Sequence, residues 1–129
     1  MILDEPQIAL NLRLEGNITP KARPRVSRGS AYLPKRYREW KEQAISQLIS
    51  QLPPTHKPLG KCAVAINLYG SLRGDLDNLA GAILDALVQS GAIKDDRLSV
   101  VRKLTVTHDK SKIKGAVVLV EKHARIYTH

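Results

Sequence analysis

The chain has a single cysteine, Cys62, so no disulfide can form within it. Cys62 lies in an alternating apolar run, where a buried thiol is the expected role, and a reducing cytoplasm is the expected location. No apolar run is long enough to cross a bilayer. The amino terminus, Met1-Ile2-Leu3-Asp4-Glu5-Pro6, has neither a basic segment nor a continuous apolar stretch, so neither a signal peptide nor a membrane anchor is expected. A glycine-rich phosphate cradle is missing, and His56, His108, His123 and His129 lack the spacing of metal ligands. Carboxylates are scarce too, with 12 Asp plus Glu against 21 Lys plus Arg. A tight acidic cluster in such a chain is an anomaly that needs a reason.

At 129 residues and 14.3 kDa, the length predicts one domain over residues 1–129, large enough to bury a core. A formal net charge of +9 and a pI near 9.9 favour association with phosphate backbones or other anionic surfaces.

Ile8, Leu10, Leu12 and Leu14 alternate with Ala9, Asn11, Arg13 and Glu15, the period of a half-buried strand, which Gly16 ends. Residues 19–33 are rich in Pro, Arg, Lys, Ser and Gly without periodicity and read as an extended loop. Pro34 suits the first turn of a helix carrying Tyr37, Trp40, Ala44, Leu48 and Leu52 at helical spacing, stopped by Pro53-Pro54. Tyr37 and Trp40 fall on that apolar stripe and read as core, whereas Tyr32 is freer. Cys62, Val64, Ile66 and Leu68 alternate again as a second strand. A helix follows from about Asp77, capped by Asp77 or Asn78, striped by Leu79, Ile83, Ala86 and Leu87, and ended by Gly91. Two more strands, residues 99–108 and 116–122, flank the polar turn Asp109-Lys110-Ser111-Lys112 and are expected to form a hairpin. The order is βαβαββ, an α/β fold of the α+β type with a mixed sheet and two main helices.

The acidic cluster lies where the second strand meets the second helix: Gly74-Asp75-Leu76-Asp77-Asn78, followed beyond the helix by Asp95 and Asp96. If the backbone is still extended, residues two apart project to one side, and the carboxylates of Asp75 and Asp77 can reach one hard cation. Asp77 as the cap would meet both demands, since a cap residue is not helical and its carboxylate suits the helix dipole. Oxygen ligands without nearby His or Cys point to Mg²⁺ or Mn²⁺ rather than zinc. The alternative is that these residues merely start a helix and form a turn. Asp85, inside the helix, reads as solvated or supporting. A helix from residue 78 to 90 is about 20 Å long, and the next five residues span at most about 17 Å. Asp95 and Asp96 therefore do not readily return to Asp75 and Asp77 within one chain. Two such helices antiparallel about a twofold would bring them together, so a homodimer with two composite sites is expected.

Lys21, Arg23, Arg25, Arg28, Lys35, Arg36, Arg38 and Lys41 crowd the loop and first helix. Such a segment can neutralise several phosphates, and its affinity would fall steeply with salt. A solvated loop is the bland alternative.

The run Arg73-Gly74-Asp75-Leu76-Asp77-Asn78-Leu79, then Leu84-Asp85-Ala86-Leu87, then Gly91 with Asp95-Asp96, resembles the RxDLDNL, DAL and G…DD segments of the RusA family of Holliday junction resolvases, common in phages and prophages. Pro20-Lys21-Ala22-Arg23-Pro24-Arg25, with Pro34-Lys35, is similar to the amino-terminal segment of many phage members. The resemblance covers roughly residues 8–121. It implies a small homodimer that binds branched, four-way DNA and makes paired, symmetric nicks with Mg²⁺ or Mn²⁺, in recombination and repair. It also implies that Asp75, Asp77 and Asp96 are the catalytic aspartates, with Asp95 adjacent as a further metal ligand. One position departs from the pattern: where the best-studied branch has a catalytic lysine, this chain has Gly81. Arg73, Lys94 and Arg97 are the candidates to supply that charge, although none follows from spacing, and all three join the DNA-binding set.

The expected reaction is hydrolysis of a DNA phosphodiester by in-line attack of water, leaving 5′ phosphates and 3′ hydroxyls. Two other classes compete: a noncatalytic DNA- or RNA-binding module, and a metal-dependent hydrolase of small phosphorylated molecules, which the missing glycine-rich cradle weighs against.

Overall fold

The alternating leucines form an edge strand, β1 (Ile2–Glu15), which starts earlier than the alternation predicts and carries a register shift between Ile8 and Leu10. The computed structural model describes the backbone of residues 2–22 and 25–127, without the side chains of residues 2–7, 25, 27, 30 and 123–127. After β1 come β2 (Arg25–Ser27), β3 (Ser30–Tyr32), α1 (Lys35–Gln51), β4 (Cys62–Tyr69), α2 (Leu76–Gln89), β5 (Val101–Asp109) and β6 (Gly115–Tyr127). This is a small α+β domain with a mixed sheet and two helices. No helix among the described residues is long and apolar enough to cross a membrane.

The sheet order is β1-β6-β4-β5, with β6 antiparallel to both neighbours and β4 parallel to β5. The expected β5–β6 hairpin is therefore wrong. β6 buries Ala116, Val118 and Val120 on one face and half-buries Val117 and Leu119 on the other, so it belongs in the middle of the sheet. β5 has only Val101 buried and takes the edge. A parallel neighbour for β4 needs a long crossover, and α2 supplies it. The reading of residues 19–33 as unstructured loop also needs correction, because β2 and β3 form a short antiparallel hairpin there with Arg28 at its tip, φ +51°.

Both helices contribute to one continuous core. Leu12, Leu14, Val64, Ile66, Leu68, Val118 and Val120 face Ala44, Leu48, Leu79, Ile83 and Leu87 across it. Each fully buried Leu, Ile or Val contributes about 1.5–3 kcal/mol, so this stripe fixes where each helix lies. Cys62 is buried among them, and burial pushes its thiol above the usual value, as expected of an inert core cysteine. The outer edge of β1 is occupied by α1: Gln51 accepts from Arg13 N (2.8 Å) and donates to Arg13 O (2.7 Å), while Gln47 accepts from Glu15 N (2.9 Å). Two glutamines thus stand in for a missing strand.

Helix α2 ends as expected. Gly91 at φ +83° turns the chain, with its N–H donating to Val88 O (3.1 Å) and that of Ala92 to Leu87 O (3.0 Å), the paired bonds of a Schellman motif.

Candidate active site and nucleic-acid interface

β4 delivers the chain through residues 70–74 to the amino end of α2. Gly74 sits at φ +117°, where a Cβ would stand 2.5 Å from Pro20 Cγ, so both the backbone angle and the packing of Pro20 require glycine. The turn made at Gly74 starts the helix at Leu76, one residue before the expected start, and makes Asp75 the cap in place of Asp77 or Asn78. Asp75 is extended (φ −82°, ψ 149°), and its backbone carbonyl accepts from Leu79 N at 3.0 Å. Its carboxylate makes no capping hydrogen bond. Asp77 lies inside the first turn, where its Oδ1 accepts from Asn78 N at 2.9 Å. Both are exposed at the amino end of the helix, with oxygen lone pairs free for a ligand.

Asp95 and Asp96 lie beyond the other end of α2. Ile93 bridges to Leu59, three residues before β4 begins, and Lys94 N donates to Leu59 O at 2.9 Å. The 14 residues of α2 span about 21 Å, and the two acidic pairs flank its opposite ends. Asp96 N donates to Asp95 Oδ1 at 2.7 Å. That bond, aided by Arg97 whose Nε is 3.1 Å from Asp95 Oδ2, holds the Asp95 carboxyl below the usual carboxylate range. Among the described residues, no three Asp, Glu, His or Cys side chains gather in a way that would hold a metal ion. One chain thus places Asp75 and Asp77 on one turn and does not add Asp95 or Asp96 to them.

The basic residues divide the same way. Beside the acidic turn is an open cleft of about 640 Å³, lined by residues 17–20, Gly74, Arg36, Arg73 and Lys114. Arg36 and Arg73 belong to the expected DNA-binding set; Lys114, in the turn before β6, does not. It belongs to the lysine-rich run after Asp109, and only the approach of that turn to residue 70 reveals its place. Lys21 is tied beside the acidic turn by its N–H to Asn78 O, 3.0 Å. Lys94 and Arg97 sit with Asp95 and Asp96, Arg28 is at the hairpin tip, and Lys35 faces Glu39 at 3.7 Å on the surface of α1. Arg23 and the side chain of Arg25 lie outside the described residues.

Asp85 takes the supporting role, turned toward α1 and Lys41 rather than the acidic turn. Trp40 is half-buried, and its indole N–H donates to Asn17 O at 2.9 Å, so α1 also holds the loop that lines the cleft.

No curated protein matches the chain. The family model described as Endodeoxyribonuclease RusA matches residues 15–121, most of the sequence and the whole of the acidic turn, the cleft and the Asp95-Asp96 bend. The chain therefore belongs to the RusA family of endodeoxyribonucleases.

Proposed function

We propose that the protein resolves four-way DNA junctions with a divalent metal, as a homodimer with two composite sites. The observation that carries this reading is Asp75: a cap residue whose carboxylate does no capping, on the same turn as Asp77 and next to a cleft carrying Arg36, Arg73 and Lys114. The donor chemistry fits Mg²⁺ or Mn²⁺, which prefer carboxylate oxygen. Asp75 and Asp77 would hold the ion, with the partner's Asp95 and the partner's Asp96 completing the set. When bound, the ion supplies Lewis-acid activation of the phosphodiester and of water. The cationic cleft would hold the DNA backbone and neutralise its charge, orienting the strand over the acidic turn. Twofold symmetry of the protein would match that of the junction, so paired nicks on opposed strands follow, leaving 5′ phosphates and 3′ hydroxyls.

A labelled synthetic four-way junction, incubated with the protein and Mg²⁺ or Mn²⁺ and resolved strand by strand, tests this. Symmetric cuts that disappear in Asp75→Asn and Asp77→Asn, with junction binding retained, are the expected result. Binding without cleavage at any metal concentration would leave a noncatalytic module instead. Hydrolysis of free nucleotides in preference to branched DNA would point to a small-molecule hydrolase.

A further inference from the structure

Lys21 crosses α2 over a notch left by glycine. Its backbone is fastened to Asn78 O, and the preceding Pro20 packs on Gly74, so the segment is fixed on both sides of Asp75 and Asp77. The side chain then runs along the helix: a Cβ on Gly81 would stand 3.4 Å from Lys21 Cδ and 3.8 Å from Lys21 Cβ. Gly81 has no positive φ to require glycine, and glycine weakens a helix interior. An alanine there would only touch the overlying lysine stem, whereas a longer side chain would have to displace it. Asp77, Gly81 and Asp85 share one face of α2 at four-residue spacing, and the charge of Lys21 is felt at Asp85. Yet Asp85 already holds Lys41 at 3.2 Å, and Lys21 forms no ion pair among the described residues. Anchored by its backbone beside the turn of Asp75 and Asp77, exposed, and in no ion pair among the described residues, Lys21 is placed for an anion arriving from outside.

We propose that Lys21 grips the phosphate to be cut, through a nonbridging oxygen of the DNA backbone, against the turn of Asp75 and Asp77, with Gly81 as the notch that lets it lie there. The loop thereby supplies the positive charge that stabilises developing negative charge on the phosphate. The inference rests on the nuclease reading above. Arg73 lines the cleft, while Lys94 and Arg97 of the same chain are at the far end of α2, beside Asp95 and Asp96.

Lys21→Ala keeps the Cβ contact and removes the charge. Junction cleavage is expected to fall about 100-fold, and the slope of log affinity against log salt, measured without divalent metal, to shrink by about 0.9. Returning the charge from the helix, in Lys21→Ala combined with Gly81→Lys, is expected to recover about tenfold of the lost cleavage; a purely structural Lys21 would give no such rescue. Cleavage by Lys21→Ala within about threefold of the parent, or a folded double variant no better than the single one, overturns the proposal. If the parent chain cleaves no DNA with either metal, the nuclease reading falls and binding alone decides Lys21: an unchanged salt slope in Lys21→Ala overturns the phosphate grip, and a reduced slope upholds it.

Discussion

Tyr37 and Asp85 join the two helices: the Tyr37 phenol donates to Asp85 Oδ2 at 3.0 Å, and Lys41 Nζ reaches the same oxygen at 3.2 Å while lying 5.4 Å from the centre of the Tyr37 ring. Burial, reinforced by Asp85, pushes the phenol far above its usual value, so it stays a donor throughout the working range. Tyr37→Phe removes one hydrogen bond to a charged acceptor without opening a cavity. A loss of about 1.5 kcal/mol in urea unfolding is expected.

The same contact gives an acid dependence. Burial alone would raise the Asp85 carboxyl, but hydrogen bonds from Lys41 and Tyr37, with the charges of Lys41 and Lys21, outweigh it and hold the group below the usual range. A depressed folded value means the stabilisation is complete above the usual carboxylate value and drains away as pH falls through the folded one. Asp85→Asn should therefore be less stable than the parent at pH 7, with the gap in melting temperature narrowing in strong acid. A gap that widens on acidification would contradict the assignment.

Gly74→Ala puts a side chain where φ is +117° and Pro20 already stands. A cost of about 1–3 kcal/mol is expected, together with loss of cleavage out of proportion to the loss of fold, because Pro20 and Lys21 shift from the acidic turn together. Denaturation midpoint and junction cleavage, measured on the same preparation, separate the two effects.

Arg73→Ala and Lys114→Ala should each lower junction affinity and reduce the salt slope by about 0.9, one phosphate contact apiece. Affinity titrations across a salt series read this directly, and a slope unchanged in both variants would remove the cleft from the DNA path.

Composite sites can be tested by mixing. Asp75→Asn and Asp96→Asn protomers are each expected to be inactive alone, but co-refolded they should nick junctions on one strand, since a mixed dimer has one intact site and one doubly damaged site. A site built wholly within one chain would give no activity from the mixture.

Much of this was legible in local pattern. The alternation in β1 and β4, the stripe of α2 and the stop at Gly91 follow from side-chain period and backbone preference, which one segment carries by itself. What escaped depends on partners distant in the chain. β6 enters the sheet between β1 and β4 because it is apolar on both faces, and the polar turn after Asp109 gave no hint of that choice. The hairpin of β2 and β3 has no apolar alternation to betray it. The cap fell to Asp75 because the chain turns at Gly74, and the place of Lys114 in the cleft depends on two turns meeting. The motif named the carboxylates, and the length of the helix between them already set the two pairs apart, as they are in the fold.

The segment before the hairpin is fastened three times, by Trp40 to Asn17, by Pro20 on Gly74 and by Lys21 to Asn78. DNA reaching the acidic turn would thus meet that segment already in place, and the entropy of arranging it was spent when the chain folded rather than at encounter. Capture at low ionic strength should accordingly be set by long-range attraction and diffusion, with no slow rearrangement of the protein to wait for.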